Sequence, residues 1–251
     1  MDQIRALAQP PTTLSRRNAE HWLSGVYGRK VSIYFTWLAV RLGISADTVT
    51  ALMIVIGLIA ASLVAVQGWV GPVVGAFLMQ FYLVLDCSDG EIARCTNTES
   101  PRGVYLDRLG HYMIDATIFS AFGIRASDWF TSPGWAFVGF ATAIVVILIK
   151  VETDLVDVSR VRGGLGALPD APPSIRGRAG ELRKAVDVLP FHRILGAVEA
   201  SMLIAVVSII DAVRGDLAAT RILLAVFGTV AVVVFVGHLL SILASDRLTR
   251  T

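Results

Sequence analysis

The sequence has 251 residues, of which 55% are hydrophobic and only 17% are charged, against about 25% charged residues in typical soluble domains. The mean hydropathy of +0.67 excludes an ordinary soluble domain and favours a protein of membrane-spanning helices. The formal net charge is only +2, and we expect no nucleic-acid partner. Two cysteines are too few for a disulfide framework, so we expect Cys87 and Cys95 to be free thiols.

The first 43 residues are typical of a segment at the membrane surface. Residues 13–43 mix basic side chains with Trp and Tyr, which is the composition of helices that lie in the lipid headgroup region. The opening lacks the apolar run of a secretory signal, so we expect the first span to direct its own insertion. We assign residues 1–43 as a cytoplasmic, interfacial helical segment.

Six apolar stretches are each long enough to cross the hydrocarbon core, which takes roughly 20 helical residues. The predicted spans are 44–67, 69–86, 104–124, 134–151, 191–212 and 220–244. The pattern predicts an all-α polytopic membrane protein, with six transmembrane helices after an N-terminal interfacial helix. We assign residues 44–245 to the transmembrane domain and residues 246–251 to a cytoplasmic tail.

The Lys and Arg residues beside the spans predict the orientation. With both termini in the cytoplasm, the inner segments hold sixteen basic residues, whereas the outer loops hold two, Arg125 and Arg214. We therefore expect residues 87–103, which join the second and third spans, at the cytoplasmic face. The membrane we expect is the bacterial inner membrane.

Acidic residues cluster at that join, in the string LVLDCSDGEIARCTNTESPRGVYLDRLGHYMID. Asp86 and Asp89 lie three residues apart at the end of a helix and share one face. Asp107, His111 and Asp115 follow at four-residue steps on the next helix and also share a face. Facing carboxylates repel unless a cation lies between them, and oxygen-rich clusters favour Mg²⁺ or Mn²⁺ over Zn²⁺. The sequence predicts a site for a divalent ion of this kind.

The residues around these carboxylates suit a phosphate ligand. Gly90 removes a side chain where a phosphate approaches the backbone, and Gly103 allows a similarly close approach. Arg94, one turn beyond Gly90, can offer a bidentate guanidinium to a phosphate. A lone Gly or Arg is more often structural, but beside a divalent ion the set indicates phosphate chemistry.

The spacing of these residues resembles the signature of the CDP-alcohol phosphotransferase (CDP-alcohol phosphatidyltransferase) family. That signature reads DxxDGxxAR, eight residues, then GxxxDxxxD, and seven of its eight fixed positions match here. The string ISADTVT at 44–50 also looks like the family's TPNxVT opening, with Ala46 and Asp47 in place of Pro and Asn. The resemblance implies an enzyme that transfers a phosphoalcohol group from a CDP-linked donor to an acceptor hydroxyl and releases CMP.

The resemblance also implies a role for each matching residue. It implies that the three matching aspartates, Asp86, Asp89 and Asp107, bind one or two divalent ions, and we add His111, at the position that does not match, as a further candidate ligand. Five positions correspond to contacts with the nucleotide donor: Asp86, Gly90, Ala93, Arg94 and Gly103. A cation on the pyrophosphate would neutralise the charge that develops on the leaving CMP.

His111 departs from the family, which has its general-base Asp at this position. A neutral imidazole, with an ordinary pKa near 6.5, is a reasonable base at cytoplasmic pH. Asp115, one turn further along, is expected to accept the other ring N–H and orient the base. We therefore take His111, Asp107 and Asp115 as the catalytic candidates. The alternative is that His111 only hydrogen-bonds within the bundle, in a catalytically impaired member of the family.

The acceptor is not specified by the signature. In this family it ranges from small polyols and inositol phosphate to lipids, and homodimers are compatible with the resemblance. Four basic residues are candidates for binding an acceptor phosphate: Lys150, Arg160, Arg162 and Arg193. Glu199 is a further candidate, because a carboxylate inside a span is costly. A cation-coupled transporter is the alternative function, but its charges would be expected near the bilayer midplane.

Overall fold

The computed structural model describes residues 2–10, 23–166, 191–245 and 248. Within these ranges the regular elements are all helical, which confirms the predicted all-α class. The α-helices of this part of the chain are α1 (Asp2–Ala8), α2 (Arg29–Arg41), α3 (Ala46–Leu63), α4 (Val70–Thr96), α5 (Pro101–Ala126), α6 (Pro133–Arg162), α7 (Ala197–Arg214) and α8 (Ala218–Leu243). A π-helical turn, Ser24–Gly28, precedes α2, and a 3₁₀ helix, Phe191–Leu195, precedes α7.

Several predictions fall partly outside the described residues. These are the interfacial segment at 11–22, the cytoplasmic loop at 167–190 and most of the tail at 246–251.

Four of the helices are long and apolar enough to cross a membrane: α3, α4, α6 and α8. The other two predicted spans, 104–124 and 191–212, coincide with α5 and α7, which are not among these four helices. The count of six spans therefore stays a prediction.

A four-residue connection sets α4 and α5 side by side. Asn97 ends α4 in the left-handed conformation, with φ of 52°, which Asn tolerates better than most residues. Ser100 then starts α5, because its side chain accepts a hydrogen bond from the Gly103 N–H at 3.1 Å and Pro101 follows at the first helical position. The end of α4 and the start of α5 are therefore adjacent.

Two glycines allow a close contact between α5 and α6. Gly123 on α5 and Gly139 on α6 lie so near each other that a Cβ on Gly123 would stand 2.6 Å from the Gly139 Cα. A larger side chain at either position would force the two helices apart. This contact fixes how α6 lies against the helix that carries His111.

Arg125, expected in an outer loop, is instead the buried end of α5. Its Nη1 donates to the backbone carbonyls of Val66 and Gly68, each at 2.7 Å. The guanidinium satisfies carbonyls that have no helical partner beyond the end of α3. Asp211 lies nearby and accepts hydrogen bonds from the first N–H groups of α8. These polar bonds tie together the bundle end opposite the acidic cluster.

Candidate metal centre

The acidic cluster forms where the end of α4 meets the beginning of α5. Asp86 and Asp89 lie in the last three turns of α4, and Asp107 and His111 lie in the second and third turns of α5. The short Asn97–Ser100 connection brings these two helix ends together. The facing arrangement expected from the residue spacing is therefore present.

Three side chains converge closely enough to hold one cation. Asp86, Asp107 and His111 each offer an atom, and these atoms all lie within 4.8 Å of one another. The His111 Nε2 is 3.1 Å from an Asp86 carboxylate oxygen and 3.3 Å from an Asp107 carboxylate oxygen. The side chain of Asp86 is 17% exposed, that of Asp107 is 38% exposed and that of His111 is 23% exposed. Two carboxylates and an imidazole are a suitable donor set for a divalent ion.

Asp89, the other predicted ligand on α4, is held apart from this three-atom cluster. Its carboxylate is buried and accepts hydrogen bonds from the Thr50 hydroxyl at 2.8 Å and the Gly90 N–H at 2.6 Å. Thr50 is the last residue of the ISADTVT string on α3, so that string contacts the site through a side chain the sequence alone did not single out. Its role is to fix the orientation of the Asp89 carboxylate.

The partner of the His111 ring differs from the one predicted. Nδ1 is hydrogen-bonded to the buried Tyr82 hydroxyl at 2.7 Å, the place that sequence reasoning gave to Asp115. Asp115 instead forms an ion pair with Lys150 of α6. The prediction of an Asp115–His111 hydrogen bond is therefore wrong. The charged ammonium group of Lys150 is a stronger partner for the buried Asp115 carboxylate than a neutral imidazole would be.

Three of the nucleotide-binding candidates, Gly90, Ala93 and Arg94, lie on α4, and a fourth, Gly103, lies on α5. Arg94 is half-buried, and its guanidinium lies over Gly90, where a Cβ would stand 3.3 Å from Nη1. Its Nε donates to the Ala8 carbonyl at the end of α1. Ala93, between them, is half-buried. Gly103 supplies the capped N–H of α5 and lies beyond the connection.

A buried carboxylate missed by sequence reasoning lies directly beside Gly90. Glu91 is 1% exposed, and its oxygens accept hydrogen bonds from Gln9 at 2.7 Å, Ser32 at 2.8 Å and Thr36 at 2.7 Å. These donors come from the segment after α1 and from α2. Glu91 therefore attaches the N-terminal helices to the signature. Glu91 occupies one of the unspecified positions of DxxDGxxAR, so the signature does not indicate this role.

The acceptor candidates have other contacts in the structure. Lys150 is engaged by Asp115, and the Arg160 Nε donates to the Gly166 carbonyl at 3.2 Å. Arg193 lies in the 3₁₀ helix, and Glu199 lies in the first turn of α7. These side chains are not part of the three-residue cluster.

Comparison with known families agrees with the geometry. Residues 44–165 match the model of the CDP-alcohol phosphatidyltransferase family. The match runs from the start of the first predicted span to the region after α6, and it includes the whole signature from Asp86 to His111. No curated protein matches the chain.

Proposed function

Because residues 44–165 carry a CDP-alcohol phosphatidyltransferase domain, we propose that this membrane protein transfers a phosphoalcohol group from a CDP-alcohol to an acceptor hydroxyl and releases CMP. The observation that carries the proposal is the convergence of Asp86, Asp107 and His111 at the junction of α4 and α5. The product belongs to the biosynthesis of phospholipids or related polar headgroups. The donor is either a phosphatidyl or a phosphopolyol compound.

Separate groups of residues would bind the divalent ion and the CDP-alcohol donor. Asp86, Asp107 and His111 would hold one Mg²⁺ or Mn²⁺ ion, and Asp89, whose carboxylate accepts a hydrogen bond from Thr50, would bind a second. A bound divalent ion supplies charge neutralisation at the pyrophosphate, where negative charge develops on the leaving group.

The donor lies over the α4 side of the site. Gly90 and Ala93 leave room for its phosphates near the backbone, Gly103 allows the start of α5 to approach, and Arg94 offers N–H donors to a phosphate oxygen.

The transfer step forms one bond and breaks one. The acceptor oxygen bonds to the phosphorus of the phosphoalcohol, and the bond from that phosphorus to the CMP oxygen breaks, so the electron pair leaves with CMP. Asp107 is the most exposed of the three clustered side chains. We assign the acceptor's proton to its carboxylate, because a carboxylate keeps a second oxygen beside the one that would bind the ion, whereas the two nitrogens of the His111 ring face Tyr82 and Asp86. His111 as the proton acceptor is the alternative role from the sequence.

The wider setting follows from the same proposal. The acceptor is a small polyol, an inositol phosphate or a lipid. The site faces the cytoplasm of a bacterial inner membrane. Residues 44–245 act as one catalytic transmembrane domain, and two copies form a homodimer.

The decisive experiment measures CMP release by purified protein from a panel of CDP-alcohols, each paired with polyol, inositol phosphate and lipid acceptors. We expect release with Mg²⁺ or Mn²⁺ and none with a chelator. Asp86→Asn should abolish release, whereas Asp216→Asn, which changes an exposed acid in the turn before α8, should leave it intact. Equal activity of Asp86→Asn and the unaltered protein would remove the basis of the proposal.

A further inference from the structure

His111 is held from both sides of its ring, which assigns it a more specific role. We propose that Tyr82 is a positioning residue that presents the His111 Nε2 as a neutral nitrogen ligand, so that the site prefers Mn²⁺ over Mg²⁺. This inference rests on the metal site of the proposed function and adds the residue that orients the ligand and the ion that it favours.

The geometry places the ring between a hydroxyl and two carboxylates. The Tyr82 hydroxyl lies 2.7 Å from Nδ1, while Nε2 on the other side of the ring lies 3.1 Å from Asp86 and 3.3 Å from Asp107. The Tyr82 and His111 rings stand at 89° with their centroids 6.2 Å apart. A hydrogen bond at Nδ1 fixes the rotation of the ring and so aims Nε2 at the carboxylates.

Tyr82 is itself fixed by packing and by its helix. It lies four residues before Asp86 on α4, so both side chains share one face. Tyr82 is 1% exposed, and Gly57 of α3 leaves the space its ring occupies, since a Cβ there would lie 3.0 Å from a Tyr82 ring carbon. The hydroxyl therefore has little freedom to leave Nδ1.

A hydroxyl suits this position because it can accept as well as donate a hydrogen bond. When the Nε2 lone pair is on a cation, Nδ1 carries the proton and donates it to the Tyr82 oxygen. The phenol adds no charge, so the three ligands Asp86, Asp107 and His111 together carry two negative charges, which balance a divalent ion. Asp115 adds little to this sum, because Lys150 pairs with it.

A nitrogen ligand changes which ion is preferred. Mg²⁺ favours oxygen donors in octahedral geometry, whereas imidazole is a better donor to transition metals. Replacement of the family's fourth carboxylate by His111 thus weakens Mg²⁺ binding relative to Mn²⁺. The same replacement lowers the negative charge around the ion by one unit.

The first test detects the ligand directly, without an enzymatic assay. Electron spin-echo spectra of Mn²⁺ bound to the purified protein should contain modulation from a coordinated imidazole nitrogen. His111→Asp should remove this modulation. His238→Gln is the matched control, because His238 also contacts a carboxylate, Glu152, but lies outside the cluster. Absence of nitrogen modulation from the unaltered protein, or its loss only in the His238 variant, would overturn the ligand assignment.

The second test isolates the Tyr82 hydroxyl. Tyr82→Phe should weaken Mn²⁺ binding, measured by calorimetry, by about 10- to 100-fold, the usual effect of losing the hydrogen-bond partner of a metal-binding histidine. Tyr27→Phe removes a different hydroxyl bonded to α4, through Gln80, and should leave Mn²⁺ affinity unchanged. Lower thermal stability of Tyr82→Phe with unaltered Mn²⁺ affinity would assign Tyr82 a purely structural role and overturn the proposal.

The third test measures ion preference. His111→Asp should raise Mg²⁺ affinity relative to Mn²⁺ affinity, and an unchanged or opposite ratio would overturn the preference. These measurements need no CDP-alcohol, so they separate the two proposals. Nitrogen-bound Mn²⁺ without CMP release would count against the proposed transfer alone, and CMP release without nitrogen modulation would count against the role of His111 alone. If Tyr82→Phe does not fold, the spectra of the unaltered protein still decide the ligand assignment.

Discussion

Asp115 is almost fully buried on α5, and its ion pair with Lys150 joins that helix to α6. The Lys150 side chain is 34% exposed, so part of its charge remains solvated. The pair lies one turn beyond His111 along α5. Its contribution is therefore to hold the helix that carries His111 and not to orient the ring.

Asp115→Asn should lower the unfolding temperature of the protein while leaving Mn²⁺ affinity unchanged. The amide cannot neutralise Lys150, and loss of a charged hydrogen-bond partner costs about 1–3 kcal/mol. Thermal unfolding in detergent and calorimetric titration with Mn²⁺ check the two parts. A large loss of Mn²⁺ affinity in a stably folded variant would restore Asp115 as an orienting group for His111.

The Thr50 hydroxyl is expected to orient the Asp89 carboxylate, and removal of that hydroxyl tests this role. Thr50→Val keeps the side-chain shape but removes the hydroxyl that donates to Asp89 at 2.8 Å. We expect CMP release to fall by about 10-fold or more, in the range found when a group supporting a metal ligand is removed. Thr229→Val, on the exposed face of α8, is the control and should behave as the unaltered protein. Full activity of the Thr50 variant would contradict this role.

At the scale of elements, a buried carboxylate helps to attach the N-terminal helices to the signature helix. Glu91 on α4 receives hydrogen bonds from Gln9, which follows α1, and from Ser32 and Thr36 on α2. Arg94, three residues further along, adds a bond to the carbonyl of Ala8. A buried carboxylate with fewer donors would be costly, so the N-terminal segment and α4 stabilise each other.

Glu91→Gln should loosen this attachment. An amide offers one accepting oxygen where the carboxylate has two, so at least one of the three donors loses its partner. Hydrogen–deuterium exchange across residues 2–10 and along α2 should become faster than in the unaltered protein. Glu99→Gln, at an exposed position in the connection after α4, should leave exchange in these regions unchanged. Equal exchange in both variants would show that α1 is held by other contacts.

The sequence predicts that the two acidic helix faces meet, but not which other side chains contact them. The three-residue spacing of Asp86 and Asp89 and the four-residue spacing of Asp107 and His111 predict which side chains share a face, because that periodicity is a property of any helix. The contacts of Tyr82 with His111 depend on how α4 and α5 are rotated about their axes, which packing decides. Glu91 and Arg125 were missed for a related reason: the partners of a buried charge can be distant backbone and hydroxyl groups that leave no local pattern.

For the molecule as a whole, the two ends of the bundle differ in chemistry. The carboxylate-rich end contains the connection between α4 and α5, and the opposite end is closed by Arg125 and Asp211. The distribution of basic residues in the sequence predicts that the carboxylate-rich end faces the cytoplasm. That orientation would give the site direct access to water-soluble CDP compounds.

Labelling single cysteines in intact cells tests this orientation. In a variant with Cys87 and Cys95 replaced by Ser, a cysteine at position 216 should react with an impermeant maleimide added outside. A cysteine at position 99 should react only after the membrane is opened. Both positions are exposed in the structure, so lack of reaction reflects the membrane and not burial. The reverse labelling pattern would show that the protein is inverted.

The connection from Asn97 to Ser100 has a consequence for how this domain tolerates changes in length. One added residue can extend the chain by about 3.3–3.6 Å, which is as large as the 3.1 Å and 3.3 Å separations between the His111 Nε2 and its two carboxylates. A single insertion or deletion here could therefore separate the two halves of the site. The number of residues between Arg94 and Gly103 therefore sets the distance between the acidic residues on α4 and the Asp107 and His111 side chains on α5.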